Sequence, residues 1–230
     1  MRRRTILILM SMAAMVVLVS GVALAKVIEG TNSGETLNGT INPDLIKAFG
    51  GNDKVNAKQA ADELRGGDGN DELRGENGND TYYGGSGDDY LTEYFGVTTP
   101  PSTGDGYTGE DVMYGGGGED TLEAARGSDE LHGGTNPTPT DFKYQEQLFG
   151  ESGGDELYGE DGSDLLEGDG GSDLMSGGEG DDSIEAAVNE TAGSQDTVNC
   201  GGGEDRVRAN ENDIIVSPSD CEDVTLVANP

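Results

Sequence analysis

The sequence predicts an all-β solenoid built from a nine-residue unit, and three observations carry that prediction. The stretch from Gly66 to Thr92 reads as three consecutive nine-residue lines, GGDGNDELR, GENGNDTYY and GGSGDDYLT. Each line places glycine first and fourth, aspartate sixth and an apolar residue eighth. A strand that is left, turned and re-entered within six residues needs positive φ, which glycine reaches without steric cost, and that accounts for positions one, two and four. The last three residues form a short strand whose middle side chain points inward while its neighbours face water. One such unit buries a single side chain, so copies must stack to give every strand a neighbour.

Lines of the form G-G-x-G-x-D-x-U-x resemble the calcium-binding nonapeptide repeats of RTX, or haemolysin-type, proteins. The resemblance implies a right-handed parallel β-roll with two nonamers per coil and calcium held between the loops of repeats n and n+2. The residue types agree with that chemistry. A tight loop aims peptide carbonyls and an aspartate carboxylate at a common centre, giving hard oxygen ligands in a flexible cage that suits Ca²⁺ better than Mg²⁺.

The register extends backward from Gly66 as AKQAADELR, AFGGNDKVN, GTINPDLIK and GTNSGETLN, each with an acid sixth and an apolar residue eighth but with fewer glycines. Residues 26–65 therefore read as degenerate N-terminal repeats that cap the solenoid. Residues 66–190 read as the calcium-binding roll, broken at 93–105, which holds Pro100 and Pro101, and at 133–140, which reads GGTNPTPT. Proline cannot donate to a strand ladder, so both breaks are expected to loop out. A third break spans Ala186 to Glu190, and residues 191–230 read as weak repeats and a C-terminal cap. The cap contains Cys200 and Cys221, the only cysteines, which are expected to form a disulfide.

Residues 1–25 read as a secretory signal peptide, with Arg2, Arg3 and Arg4 before an apolar core and Ala23-Leu24-Ala25 as the cleavage site. An uncleaved membrane anchor is the alternative. The family's toxins and proteases leave the cell on an uncleaved C-terminal signal, from which this leader departs. Cleavage would remove three arginines and move the formal charge from −33 to −36, giving a secreted, very acidic protein with no membrane insertion. Such a surface repels phosphate, which excludes nucleic acid as a partner.

The expected calcium ligands are the sixth-position aspartates of glycine-bearing repeats: Asp71, Asp80, Asp89, Asp111, Asp120, Asp129, Asp155, Asp164, Asp173 and Asp182, with Asp53 as an outlying member. Several Ca²⁺ ions are thus implied. The competing reading makes these acids solvated turn residues that hold their own backbone. Asp62, in a loop without glycine, is expected to bind nothing. If the breaks preserve parity, the ninth residues of alternate repeats run Lys47, Arg65, Tyr83, Tyr114, His132 and Tyr158 along one face. Tyr83, Tyr114 and Tyr158 then either stiffen an exposed sheet or meet a cell-surface glycan or protein.

Two enzyme-like strings lack their structural context. Gly150-Glu151-Ser152-Gly153-Gly154 fits a nucleophile elbow but lies in register as a repeat loop, and Gly104 to Gly109 fits G-x-G-x-x-G without a βαβ unit. No catalytic residue is assigned. The expected function is a secreted calcium-binding β-roll that folds on Ca²⁺ and serves a structural, surface or matrix role. The alternatives are a calcium-dependent adhesion or glycan-binding module, or an accessory part of a secreted hydrolase or toxin.

Overall fold

A computed structural model describes residues 25–93, 108–135, 146–187, 194–216 and 218–228. The leader through Leu24 and the proline-bearing segments 98–102 and 136–140 lie outside the described residues, as does most of the 104–109 string.

Among the described residues the chain is a parallel β-roll of two sheets. Successive strands alternate between them, except that the short Gly170–Gly171 follows Leu165–Glu167 in the same sheet. The first sheet orders ten strands from Lys26–Glu29 to Ile214–Val216, and the second eleven from Thr36–Asn38 to Asp223–Val227. Every pairing is parallel. Among the described residues the one helical element is the 3₁₀ turn Pro218–Asp220.

The eighth residue of each repeat forms the core. Ile46, Val55, Leu64, Leu73, Tyr82, Leu91 and their successors through Val207 are buried. The alternation of the strand sends residues seven and nine outward, as period-two geometry requires. The structure adds a second inward column that periodicity alone did not reveal. Position one also faces the interior, where Ala48, Ala57, Ala124, Ala186, Cys200 and Ala209 are buried. Each nonamer therefore contributes two positions, one and eight, to the apolar core rather than one, beside the buried sixth-position acid.

The strand register is kept across all three breaks. Neighbouring strands normally pair residues 18 apart, as in Leu64 with Tyr82. Across the three breaks the partners become Tyr82 with Met113, Leu131 with Leu157, and Met175 with Val198, separations of 31, 26 and 23. The excesses over 18 are 13, 8 and 5 residues, the lengths of the three breaks. Their positions differ from the sequence reading. Glu93 is buried at position one, and Gly133 and Gly134 remain within the strand Glu130–Thr135.

The tail continues both sheets, Ile214–Val216 pairing with Thr197–Asn199 and Asp223–Val227 with Arg206–Asn210. Cys200 and Cys221 form a disulfide with Cα atoms 5.5 Å apart.

Candidate metal centre

The sixth-position carboxylates stand in two files, one along the edge of each sheet. In each file the side chain of one acid holds the backbone of the acid two repeats earlier. The Asp53 N–H donates to Asp71 Oδ1 at 2.8 Å, and the Asp71 N–H to Asp89 Oδ1 at 2.8 Å. The carbonyls run the other way: the Glu72 N–H donates to the Asp53 oxygen at 2.8 Å. In the first file Asp44, Asp62, Asp80, Asp111, Asp129, Asp155, Asp173 and Asp196 are linked in sequence and end on Asp213. The second begins at Glu35 and ends where the Asp205 N–H donates to Glu222 Oε2.

Oδ1 thus behaves as the competing reading supposed, except that the backbone it holds belongs to another repeat and the side chains are buried. Oδ2 does something else. In Asp53, Asp62, Asp71, Asp80, Asp89, Asp120, Asp129, Asp155, Asp182 and Asp205 it is buried and accepts no hydrogen bond among the described residues. A buried carboxylate oxygen without a partner costs several kcal/mol in a dry site, so it is either protonated or neutralised by a cation.

Electrostatics point the same way. Burial pushes Asp89, Asp111, Asp155 and Asp182 up to about 8, and Asp62 up to about 7. Burial likewise raises Asp71, Asp80, Asp120 and Asp129 to about 6. In each case the backbone N–H on Oδ1 works against the rise, and neighbouring carboxylates add to it. Metal-free, these groups resist ionisation.

The first glycine of each repeat makes room for this arrangement. A Cβ at Gly84 would lie 2.6 Å from Asp89 Oδ2 and 2.5 Å from the Gly115 carbonyl oxygen. At Gly159 it would meet Asp164 Oδ2 at 2.6 Å and the Gly177 oxygen at 2.5 Å. Positive φ occurs at position two, as at Gly67 and Gly85, and at position four, as at Gly69 and Gly87. Position one has no such φ, so close approach rather than backbone conformation demands glycine there, a correction to the sequence reading. Position two tolerates other residues in the left-handed region, including Phe49, Glu76 and Glu160.

Of the expected ligands, Asp53, Asp71, Asp80, Asp89, Asp111, Asp120, Asp129, Asp155, Asp164, Asp173 and Asp182 are all buried in the two files. Asp62 occupies the same geometry, since Ala60 adopts φ 81° in place of the missing glycine. Sequence reasoning also passed over Asp196, Asp205 and Glu146. Glu146 takes a sixth position, is buried and is hydrogen bonded to Asp164. Its repeat, DFKYQEQLF, has no glycine to flag it. Asp44 differs from all of these. Its Oδ1 accepts from the Lys26 N–H and its Oδ2 from the Thr40 N–H at 2.6 Å, so both of its oxygens already have a backbone donor.

A cage of buried carboxylates fits a hard, oxygen-seeking cation. The free Oδ2 atoms supply the anionic oxygens, and the glycine cradle leaves space that a side chain would fill.

On the outer face of the first sheet, the ninth-position residues form a stack. The ring centroids of Tyr83 and Tyr114 are 5.3 Å apart, those of Tyr114 and His132 4.8 Å, and those of His132 and Tyr158 4.9 Å. The Arg65 guanidinium lies over Tyr83 at 5.3 Å. The elbow-like string lies largely in the strand Gln147–Gly153 of the second sheet, in which Ser152 pairs with Arg126 and Gly170. His132 belongs to the first sheet, and its ring nitrogens meet Glu130 and Glu160.

The family model of the RTX calcium-binding nonapeptide repeat matches this chain in four copies, over residues 29–62, 58–91, 105–136 and 149–184. No curated protein matches it.

Proposed function

This chain belongs to the RTX calcium-binding nonapeptide repeat family, and we propose from that premise that it is a secreted calcium-binding β-roll with a structural role at a cell surface or in an extracellular matrix. Several Ca²⁺ ions would be held along the two files, with Asp53, Asp71, Asp80, Asp89, Asp111, Asp120, Asp129, Asp155, Asp164, Asp173 and Asp182 as ligands. The observation that carries this reading is the run of buried Oδ2 atoms, from Asp53 to Asp182, of which those of Asp53, Asp71, Asp80, Asp89, Asp120, Asp129, Asp155 and Asp182 accept no hydrogen bond among the described residues. When bound, calcium supplies the positive charge that these oxygens lack. The protein's own residues hold the cage open and in register, through Oδ1 and the position-one glycines.

A structural role is supported by the stacked row. The rings of Tyr114 and His132 are inclined by 15°, and those of Tyr83 and Tyr114 by 10°, so ring faces cover one another. A sugar would need such a face, whereas mutual stacking stiffens the sheet. The second reading, a calcium-dependent adhesion module, rests on the outward position of the same row, where Tyr83 is 40% exposed. In that reading Tyr83, Tyr114 and Tyr158 present hydroxyl edges to a glycan or protein. Among the described residues, no helix is long and apolar enough to cross a membrane.

Equilibrium dialysis against calcium, with fractionation of the producing cells, tests the proposal. Several ions per chain and recovery outside the cell or on its surface are expected. Absence of calcium binding, or retention in the cytoplasm, would contradict it.

A further inference from the structure

One acid lies inside the roll where its neighbours carry none. Glu93 follows Thr92 directly and so takes position one, which among the described repeats is otherwise glycine, alanine or cysteine. It is 1% exposed. Its Oε1 accepts a hydrogen bond from the Tyr82 hydroxyl, which in turn accepts from the Gly75 N–H at 2.8 Å. Its Oε2 is buried and accepts no hydrogen bond among the described residues, as is true of Asp80 Oδ2. One oxygen from each of Asp80, Glu93 and Asp111 lies within 4.8 Å of the others.

From this cluster we infer an interior cation site formed by Asp80, Glu93 and Asp111, with the Tyr82 phenol fixing the Glu93 carboxylate from behind. It shares Asp80 and Asp111 with the first file, and Glu93 adds to them an oxygen from the inward column of position one rather than from a turn. Three carboxylates in a water-excluded core carry more negative charge than a hydrogen-bond network can offset, and two of their oxygens have no donor. The donor set is oxygen throughout, which selects a hard cation. Calcium accepts irregular oxygen cages, whereas magnesium holds its waters and would not enter so dry a site.

Native mass spectrometry of the full chain, prepared in saturating calcium, counts the ions held. Glu93→Gln keeps the shape but removes the charge. Glu93→Gly installs the residue that this position carries in neighbouring repeats, so the roll is retained even if the glutamine is poorly accommodated. Both variants are expected to hold one calcium ion fewer than the parent while keeping its calcium-loaded β spectrum. Equal, non-zero counts in parent and variants would overturn the interior site and leave the loop sites standing. A parent that holds no calcium would overturn both.

Discussion

The backbone N–H of Asp80 donates to Oδ1 of Asp111 at 2.6 Å, although 31 residues separate them. The same bond joins Asp62 to Asp80 over 18 residues. The register of the file is thus kept across thirteen additional residues. Removing thirteen residues from the stretch between Glu93 and Thr108 should therefore restore the ordinary spacing and leave the calcium-loaded fold intact. We expect thermal melts within about 4 °C of the parent, equivalent to ~1 kcal/mol or less for a chain of this size. Loss of the cooperative transition would show that the insertion supports the roll.

The two oxygens of one aspartate do separate jobs, and substitution can separate them. Asp155→Asn keeps an acceptor for the Asp129 N–H but removes the charge. It should raise the calcium concentration needed for folding with little effect on the melting temperature of the saturated protein. Asp155→Ala also leaves that N–H buried and unpaired, at a cost of about 1–3 kcal/mol, and should lower the saturated melting temperature as well. Asp44→Asn is the control: both Asp44 oxygens already accept backbone donors, so its calcium midpoint should match the parent.

Acid should partly substitute for calcium. Burial raises Asp89, Asp111, Asp155 and Asp182 from an unfolded value near 3.8 to about 8 in the folded, metal-free chain, and Asp71, Asp80, Asp120 and Asp129 to about 6. The folded state then binds more protons than the open chain between those limits. Stability from these groups is fully present below pH ~4 and is lost as pH rises through 6 to 8. In calcium-depleted buffer the β signal should be larger at pH 4 than at pH 8. With calcium the direction reverses, because the ion needs ionised carboxylates, so more calcium should be required at pH 5 than at pH 8. A metal-free spectrum indifferent to pH would contradict the burial of these acids.

Glycine at position one is a matter of space. Gly84→Ala would place a Cβ 2.5 Å from the Gly115 oxygen and 2.6 Å from Asp89 Oδ2. At Gly117, in position three, the nearest atom to a Cβ is the Thr135 oxygen at 3.6 Å. Gly84→Ala should cost ~1–3 kcal/mol, as overpacking of a tight interior does, and weaken calcium binding. Gly117→Ala should melt within about 2 °C of the parent. Equal melting temperatures for the two would remove the cradle from the account.

Much of this was legible because the repeat is short and its chemistry recurs. The apolar eighth residue from Ile46 to Val207, the sixth-position acids and the disulfide all followed from period and residue type. What stayed hidden depends on neighbours a coil away. That Gly84 must be small is decided in part by Asp89 of its own repeat and in part by the Gly115 carbonyl 31 residues on, which its own loop does not reveal. Asp62 resembled a failed site because its loop lacks glycine, yet Ala60 supplies the left-handed backbone and the side chain takes its place in the file. Glu93 and Glu146 sit beside breaks, where the register that identifies every other position is interrupted. Their roles emerge only once the pairings across the breaks fix them at positions one and six.

If divalent cations close the two carboxylate files, the roll depends on them. Far-ultraviolet circular dichroism during a calcium titration of the chelated chain tests it most directly. A cooperative rise of β signal from a largely unfolded baseline, near the ~10⁻⁴ to 10⁻³ M typical of extracellular calcium modules, is the predicted result. A β spectrum already complete in excess chelator at neutral pH, and unchanged by added calcium, would contradict it.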